Sequence, residues 1–237
     1  LCQSQADADR FKRLGIPQDK LDITGSIKLD IKVSPAVIEE GKALRNDLGS
    51  KRPVWIAAST HKGEDEKILS AHKTILTSLP DALLILVPRH PERFKEAFTL
   101  CGSLGFQSVT RTSQETTTND TQVYVGDTMG EMLKLIGAAD VCFMGGSLVG
   151  DKVGGHNVLE PAILSVPVIT GPSYFNFKEI VHDLESEQAI IITTESTLIS
   201  STLLLLTDSQ IRKTQTSRAL HYLNKNQGSL SKVLSYL

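Results

Sequence analysis

The sequence predicts an α/β domain built on a doubly wound, Rossmann-like parallel sheet, and three observations lead there. Several short runs are apolar at every position, as in Val54-Trp55-Ile56-Ala57-Ala58 and Leu83-Leu84-Ile85-Leu86-Val87. Runs without alternation suit strands covered on both faces. These runs alternate with helical stretches, the pattern of βαβ units. Residues with hydrogen-bonding or anion-binding chemistry follow the runs, at the strand ends where open α/β sheets bind ligands.

Taken in order, residues 1–30 read as the tail of a preceding domain. A helical pattern from Gln3 to Leu14 stops at Gly15, and Leu21 to Thr24 is a short extended run closed by Gly25. Residues 31–50 read as a linker, with Pro35 and a helical pattern (Val37, Ile38, Ala43, Leu44, Leu48) that ends near Gly49. Residues 51–237 form the main domain. Its first strand, Val54–Ala58, leads to a helix reaching about Leu79, and its second, Leu83–Val87, to a helix over Glu92–Leu104. Phe106–Val109 and Gln122–Val125 are shorter strand candidates around a polar loop, Ser113–Thr121, and a helix follows over Glu131–Ile136. Asp140–Met144, Val166–Ile169 and Ala189–Ile192 complete the strand series, and the stretch from Ser196 onward is helical, including Asp208–Leu223.

Composition narrows the function classes. The 237 residues are 40% hydrophobic and 22% charged, and 25 Lys and Arg face 27 Asp and Glu for a formal charge of −2. That balance argues against a nucleic-acid binder driven by bulk charge, and no polybasic cluster marks a membrane surface site. No apolar run approaches the length of a membrane span, and no secretory signal pattern is visible. Cys2, Cys101 and Cys142 are widely spaced with no CxxC pair, which reads as free buried thiols in a reducing compartment. The chain opens Leu1-Cys2-Gln3 without Met, so a piece of a longer product is expected.

Four strand ends carry the candidate site. Ser59-Thr60-His61-Lys62-Gly63-Glu64 follows the first run; Ser59 and His61 either hold an anion or sugar hydroxyl, or the segment is an ordinary helix cap. Pro88-Arg89-His90-Pro91 follows the second, with Arg89 fixed in a tight turn and able to pair a phosphate with two donors. Arg93 is expected on the helix face. After Val125 comes Gly126-Asp127-Thr128-Met129-Gly130, whose backbone N–H groups can meet a base carbonyl or phosphate; it matches neither GxGxxG nor a Walker A motif. After Met144 come two glycine pairs, Gly145-Gly146-Ser147 and Gly154-Gly155-His156-Asn157-Val158-Leu159-Glu160. Glu160 can accept two ribose hydroxyls, or Asn157-x-x-Glu160 is a capping box. Gly171-Pro172-Ser173-Tyr174-Phe175-Asn176-Phe177 would close the cleft, its aromatic pair reading more readily as core packing.

These motifs in this order, GGSLV, GGHNVLEPAILSVPVITGP and NF, with PRHPERF, STHKGE and GDTMGEM upstream, resemble the carboxyl-terminal half of bacterial 3-deoxy-D-manno-octulosonic acid (Kdo) transferases. The opening QSQADADRFKRLGI also matches, and GSIKLD stands where the family usually reads GN-x-KFD, so the resemblance covers nearly the whole chain. It implies the donor-binding half of a GT-B glycosyltransferase, in which two Rossmann-like domains face each other across a cleft. Kdo would pass from CMP-Kdo to a lipid A precursor, with inversion and without a divalent metal or other cofactor. Carried over by motif, Pro88, Arg89, Thr128, Met129, Gly130, Asn157 and Glu160 bind CMP, and Ser59, His61, Gly146, Ser147, Gly155 and His156 belong to supporting loops. No catalytic residue is assigned, because the resemblance places the base, the acceptor site and the anchor to the cytoplasmic face of the inner membrane in an amino-terminal half. The 237 residues alone would then be inactive and soluble. The rival readings are another GT-B enzyme using a UDP-sugar, as transferase or epimerase, and a non-catalytic nucleotide-binding module.

Overall fold

The computed structural model describes residues 1–237. Seven strands, β1 (Val54–Thr60), β2 (Leu83–Pro88), β3 (Ser108–Thr110), β4 (Val123–Val125), β5 (Val141–Met144), β6 (Val168–Thr170) and β7 (Ile191–Ile192), form one sheet in the order β3-β4-β2-β1-β5-β6-β7. Every pairing is parallel. From β1 the chain winds outward through β2 to β3 and β4, then crosses back to β5 on the other side of β1. The topological switch point therefore lies between the carboxyl ends of β1 and β5, which pair through Ala58 and Met144.

The unbroken apolar runs are explained by two cores, one on each face. In β1, Val54, Ile56 and Ala58 join one core while Trp55 and Ala57 join the other, so every side chain of the run is buried. The first core lies under α2 (Pro35–Gly49), α5 (Met132–Gly137), α6 (Leu159–Ile163), α7 (Lys178–Ser186) and α9 (Ser209–Asn226). The second lies under α3 (Asp65–Ser78), α4 (Phe94–Ser103) and α8 (Leu198–Thr207). Full burial of each such Val, Leu or Ile side chain stabilises the fold by about 1.5–3 kcal/mol before entropy is counted. Cys2, Cys101 and Cys142 are buried and unpaired, and burial pushes the Cys101 thiol up to about 12.

Three features differ from the expectation. Residues 31–50 do not behave as a linker: α2 buries Leu44 and Leu48, one turn apart, in the first core. Arg45 of α2 donates to Asp140 at 2.8 Å, and the same carboxylate accepts the Val54 N–H, which ties α2 to the starts of β1 and β5. Arg93 leaves the helix face and turns inward to pair with Asp65, its side chain only 12% exposed. Helix α7 has no counterpart in the sequence reading, since only Ile180, Val181 and Leu184 form its buried stripe.

Residues 1–30 pack against the far end of the chain. Helix α1 (Gln5–Arg13) is followed by a bridge between Cys2 and Ile23. The Asp30 carboxylate accepts N–H bonds from Gly228 at 2.6 Å and Leu230 at 2.5 Å, at the start of α10 (Ser229–Leu234). The polar Ser113–Thr121 segment has neither helix nor strand, but Arg52 donates to the carbonyls of Thr118 and Thr121 and so fastens its end.

One buried polar pair makes the fold sensitive to acid. The indole N–H of Trp55 donates to His72 Nδ1 at 3.1 Å, so Nε2 carries the proton and donates to the Gln122 carbonyl at 2.9 Å. Both contacts are met only by the neutral ring. Burial depresses His72 from 6.5 to about 4. The unfolded chain therefore takes up a proton that the folded one refuses, and stability is lost as pH falls from about 6.5 towards 4. Denaturation followed by the fluorescence of Trp55 is expected to show that loss, and His72→Gln to flatten it, leaving the slope due to His61 and His156. An equal slope in the variant would remove His72 from the account.

Candidate functional site

A cleft of about 320 Å³ opens at the carboxyl ends of the central strands. It is lined by Ser59 from β1, Val87 and Pro88 from β2, Arg89 just after it, Thr128, Met129, Gly130 and Met132 beyond β4, and Met144 from β5. His156, Asn157 and Glu160 at the entry to α6, with Phe177, complete it. All seven residues expected to hold the nucleotide lie on this one surface, as do Ser59 and His156.

The strand ends are held by short-range necessity. β1 carries an irregularity between Ala58 and Thr60, where Ser59 adopts φ +57°. Few residues accept that left-handed conformation, and strained backbone of this kind concentrates at functional sites. Next to it, a Cβ on Gly145 would sit 2.7 Å from the Ser59 carbonyl oxygen, so only glycine lets β5 approach β1 there. The carbonyl of Thr60 accepts the Arg89 N–H at 2.9 Å and Arg93 Nη1 at 3.1 Å. Arg93 is in turn paired with Asp65, whose other oxygen accepts the Thr60 hydroxyl at 2.5 Å. The turn bearing Arg89 is thereby locked to the end of β1, while the Arg89 side chain itself stays exposed.

Across the cleft stands Glu160. Asn157 Nδ2 donates to it at 3.3 Å and Asn157 Oδ1 accepts the Leu159 N–H at 3.1 Å. The return bond of a capping box, from the Asn157 backbone N–H to the Glu160 carboxylate, is not formed, so the carboxylate is directed to the cleft. Burial raises its pKa, while Asn157 and Arg89 pull the other way. At the β4 end, the Thr128 hydroxyl donates to Glu131 at 2.6 Å, and Arg111 forks onto the same carboxylate with two 3.2 Å bonds. Arg111 above all holds Glu131 down to about 2. What this turn offers a ligand is therefore its backbone and the exposed Met129 side chain, not the Thr128 hydroxyl.

Four of the supporting residues have other tasks. Gly146 and Ser147 do not line the cleft: their N–H groups donate to the buried Glu64 carboxylate at 2.7 and 2.9 Å. Leu148 and His61 add two more N–H bonds at 2.9 Å, so Glu64 receives four. Its bond to the His61 N–H is not the Ser or Thr helix cap that the segment suggested, which is not formed; the other three cross-link β1 to β5. Gly155, at φ +75°, lets the chain pass the Tyr174 backbone. His61 sits behind His156, their Nε2 atoms 2.8 Å apart. Sequence reasoning missed Val87, Met132 and Met144 as lining residues, although two of them end their apolar runs. Phe177 packs against the first core, as the sequence favoured, and also lines the cleft beneath the Lys28 ammonium, 4.3 Å from the ring centre.

No protein-family model matches the chain. The 3-deoxy-D-manno-octulosonic acid transferase of Haemophilus influenzae is 40% identical over 237 residues, covering 99% of this chain and 55% of the relative. The crystal structure of the C-terminal CMP-Kdo binding domain of WaaA from Acinetobacter baumannii superimposes with a TM-score of 0.76 at 36% identity, covering 81% of this chain and all of that one. The chain belongs to the Kdo transferase family. It spans about half the length of the curated Kdo transferases it matches, and corresponds to their carboxyl-terminal domain. WaaG, a glycosyltransferase involved in lipopolysaccharide biosynthesis, shares the fold at 16% identity with a TM-score of 0.57. The fold is thus one Rossmann-like half of a GT-B glycosyltransferase. No helix of this Kdo transferase domain is long and apolar enough to cross a membrane.

The Glu64 clamp can be tested directly. In Glu64→Gln one acceptor oxygen becomes an N–H₂ group facing two N–H donors, which leaves them unpaired at about 1–3 kcal/mol each. Chemical denaturation is expected to show a loss of about 2–4 kcal/mol; a loss below about 1 kcal/mol would mean that water replaces the carboxylate.

Proposed function

We propose that the cleft binds CMP-Kdo and that the chain is the donor-binding domain of an enzyme transferring Kdo to a lipid A precursor. The observation that carries this reading is that Arg89 beyond β2, the Thr128–Gly130 turn beyond β4 and Glu160 beyond β5 line one cleft at the carboxyl ends of the sheet. Arg89 pairs the phosphate, Glu160 accepts ribose hydroxyls, and the turn meets the base. The name of the Acinetobacter baumannii domain, at 36% identity, supports the nucleotide and the sugar.

In the transfer the acceptor hydroxyl attacks the anomeric carbon of Kdo, its proton passes to a base, and the bond from that carbon to the phosphate oxygen breaks. CMP leaves with the bonding electrons. The negative charge gathering on its phosphate is met by Arg89, whose backbone is locked to the end of β1 and whose exposed guanidinium is free to turn to it. The base and the acceptor site belong to an amino-terminal domain, and such an enzyme works where its lipid lies, at the cytoplasmic face of the inner membrane.

Calorimetric titration with CMP, UMP and AMP tests the donor assignment. Binding of CMP ahead of the other two is expected; binding of UMP with no response to CMP would replace Kdo by a UDP-sugar. Glu160→Ala is expected to weaken CMP binding by about 1–3 kcal/mol, and Arg89→Ala by a similar amount, with little change in melting temperature. Unchanged affinity together with a lower melting temperature for Glu160→Ala would assign that carboxylate to helix capping instead.

A further inference from the structure

His156 lines the cleft and His61 stands behind it, their Nε2 atoms 2.8 Å apart. The rings are inclined by only 10° with centroids 5.0 Å apart. With the nitrogens that close, the rings meet edge to edge along the line of their lone pairs, which is an N–H···N hydrogen bond and not a face-to-face stack. Such a pair needs one shared proton, and it can hold one further proton on the outer nitrogens before the bond itself is lost. His90 stands edge-on to His61 with centroids 5.3 Å apart.

The charges around the pair are unbalanced. Arg89, His90 and Arg93 face it from the β2 end. Of the nearby carboxylates, Glu64 is spent on four backbone N–H groups and Asp65 on Arg93. Glu160 is bound by Asn157 on the ribose side of the cleft. No protein carboxylate accepts from either imidazole. Burial above all lowers the pKa of both rings, His156 to about 4; at His61 the Glu64 charge opposes it, and the cationic neighbours add to it at both rings. The pair is therefore biased towards its uncharged form, and negative charge arriving beside it favours uptake of a proton.

We propose that His61 and His156 form a proton-coupled subsite for the sugar carboxylate of the donor, distinct from the Arg89 position that takes its phosphate. This rests on the CMP-Kdo reading. That donor carries two separate anions, the phosphodiester and the carboxylate of an octulosonic acid, whereas Arg89 is the one guanidinium that lines the pocket. A carboxylate beside the pair draws a proton from solvent onto the imidazoles and becomes the acceptor of a charge-assisted N–H bond. The pair would also read the sugar: a neutral hexose on the same nucleotide supplies nothing to hold that proton.

Calorimetry with CMP and with freshly prepared CMP-Kdo, in buffers of different ionisation enthalpy, separates the two claims. CMP binding tests the nucleotide site; the difference between CMP-Kdo and CMP tests the histidine pair. For CMP-Kdo, proton uptake near about pH 6 is expected, with an affinity that falls roughly tenfold between about pH 5.5 and pH 8. His156→Gln and His61→Gln are expected to abolish the uptake and weaken CMP-Kdo about tenfold, while changing CMP affinity less than about twofold. CMP-Kdo binding without proton uptake, or equal losses for CMP and CMP-Kdo in the variants, would overturn the proposal while leaving the nucleotide site standing. Failure of CMP and CMP-Kdo alike to bind the wild-type chain would overturn the donor reading itself. If the glutamine variants fail to fold, imidazole ¹⁵N shifts of the wild-type chain give the same decision: a shift to the charged form with CMP-Kdo but not with CMP supports the subsite, and no difference refutes it.

Discussion

The buried carboxylate of Glu64 is the interaction on which the rest of the site depends. The crossing from one side of the sheet to the other leaves two strand ends, β1 and β5, side by side, with loops departing in different directions. The Gly145 amide after β5 still reaches the Ala58 carbonyl of β1, but the next three have no strand to receive them. A carboxylate taken from the loop after β1 receives three of these amides and one of its own. Unpaired buried N–H groups at this position would be costly, and one side chain settles four of them. The glycine pair after β5 thus serves a carboxylate of the protein, and the ligand is left to the turns on either side.

A second lock works beside it. The single carbonyl of Thr60 holds both the backbone of Arg89 and the guanidinium of Arg93, and Asp65 balances the charge of the latter. Two arginines four residues apart consequently have opposite fates, one buried as a tie and one free to meet an anion. Glu64 and Asp65, adjacent in sequence, supply the two ties. With both in place, the backbone that carries Arg89 is fixed at the cleft, and only its side chain remains to be ordered when a ligand enters.

The fold was legible because buried parallel strands leave an unmistakable signature: apolar residues with no alternation, each ending in a turn. The same rule directed attention to the strand ends, and residues from four of them meet in one cleft. What stayed hidden depends on contacts between distant segments. Arg93 follows Arg89 in a helical phase that suggests solvent, and only the position of Asp65 in space turns it inward. The burial of α2 was masked because two leucines among charged residues read equally well as a surface helix. The pairing of His61 with His156 joins residues 95 apart, and nothing local to either announces it. Helix α7 shows another limit of pattern reading: Ile180, Val181 and Leu184 share one face, but nine residues give that stripe little length in which to repeat.

The contact between Asp30 and the start of α10 closes a loop 198 residues long. Polymer statistics make such closure less costly than its length suggests, because each doubling of a loop adds only about 0.6 kcal/mol. The more telling effect is on cooperativity. The opening segment lends its carboxylate to the first amides of α10, and α10 in return gives that segment a surface. Fraying of one strips the other of its partner. Two stretches separated by the whole of the sheet therefore order and melt together, as one unit of local stability set apart from the strands between them.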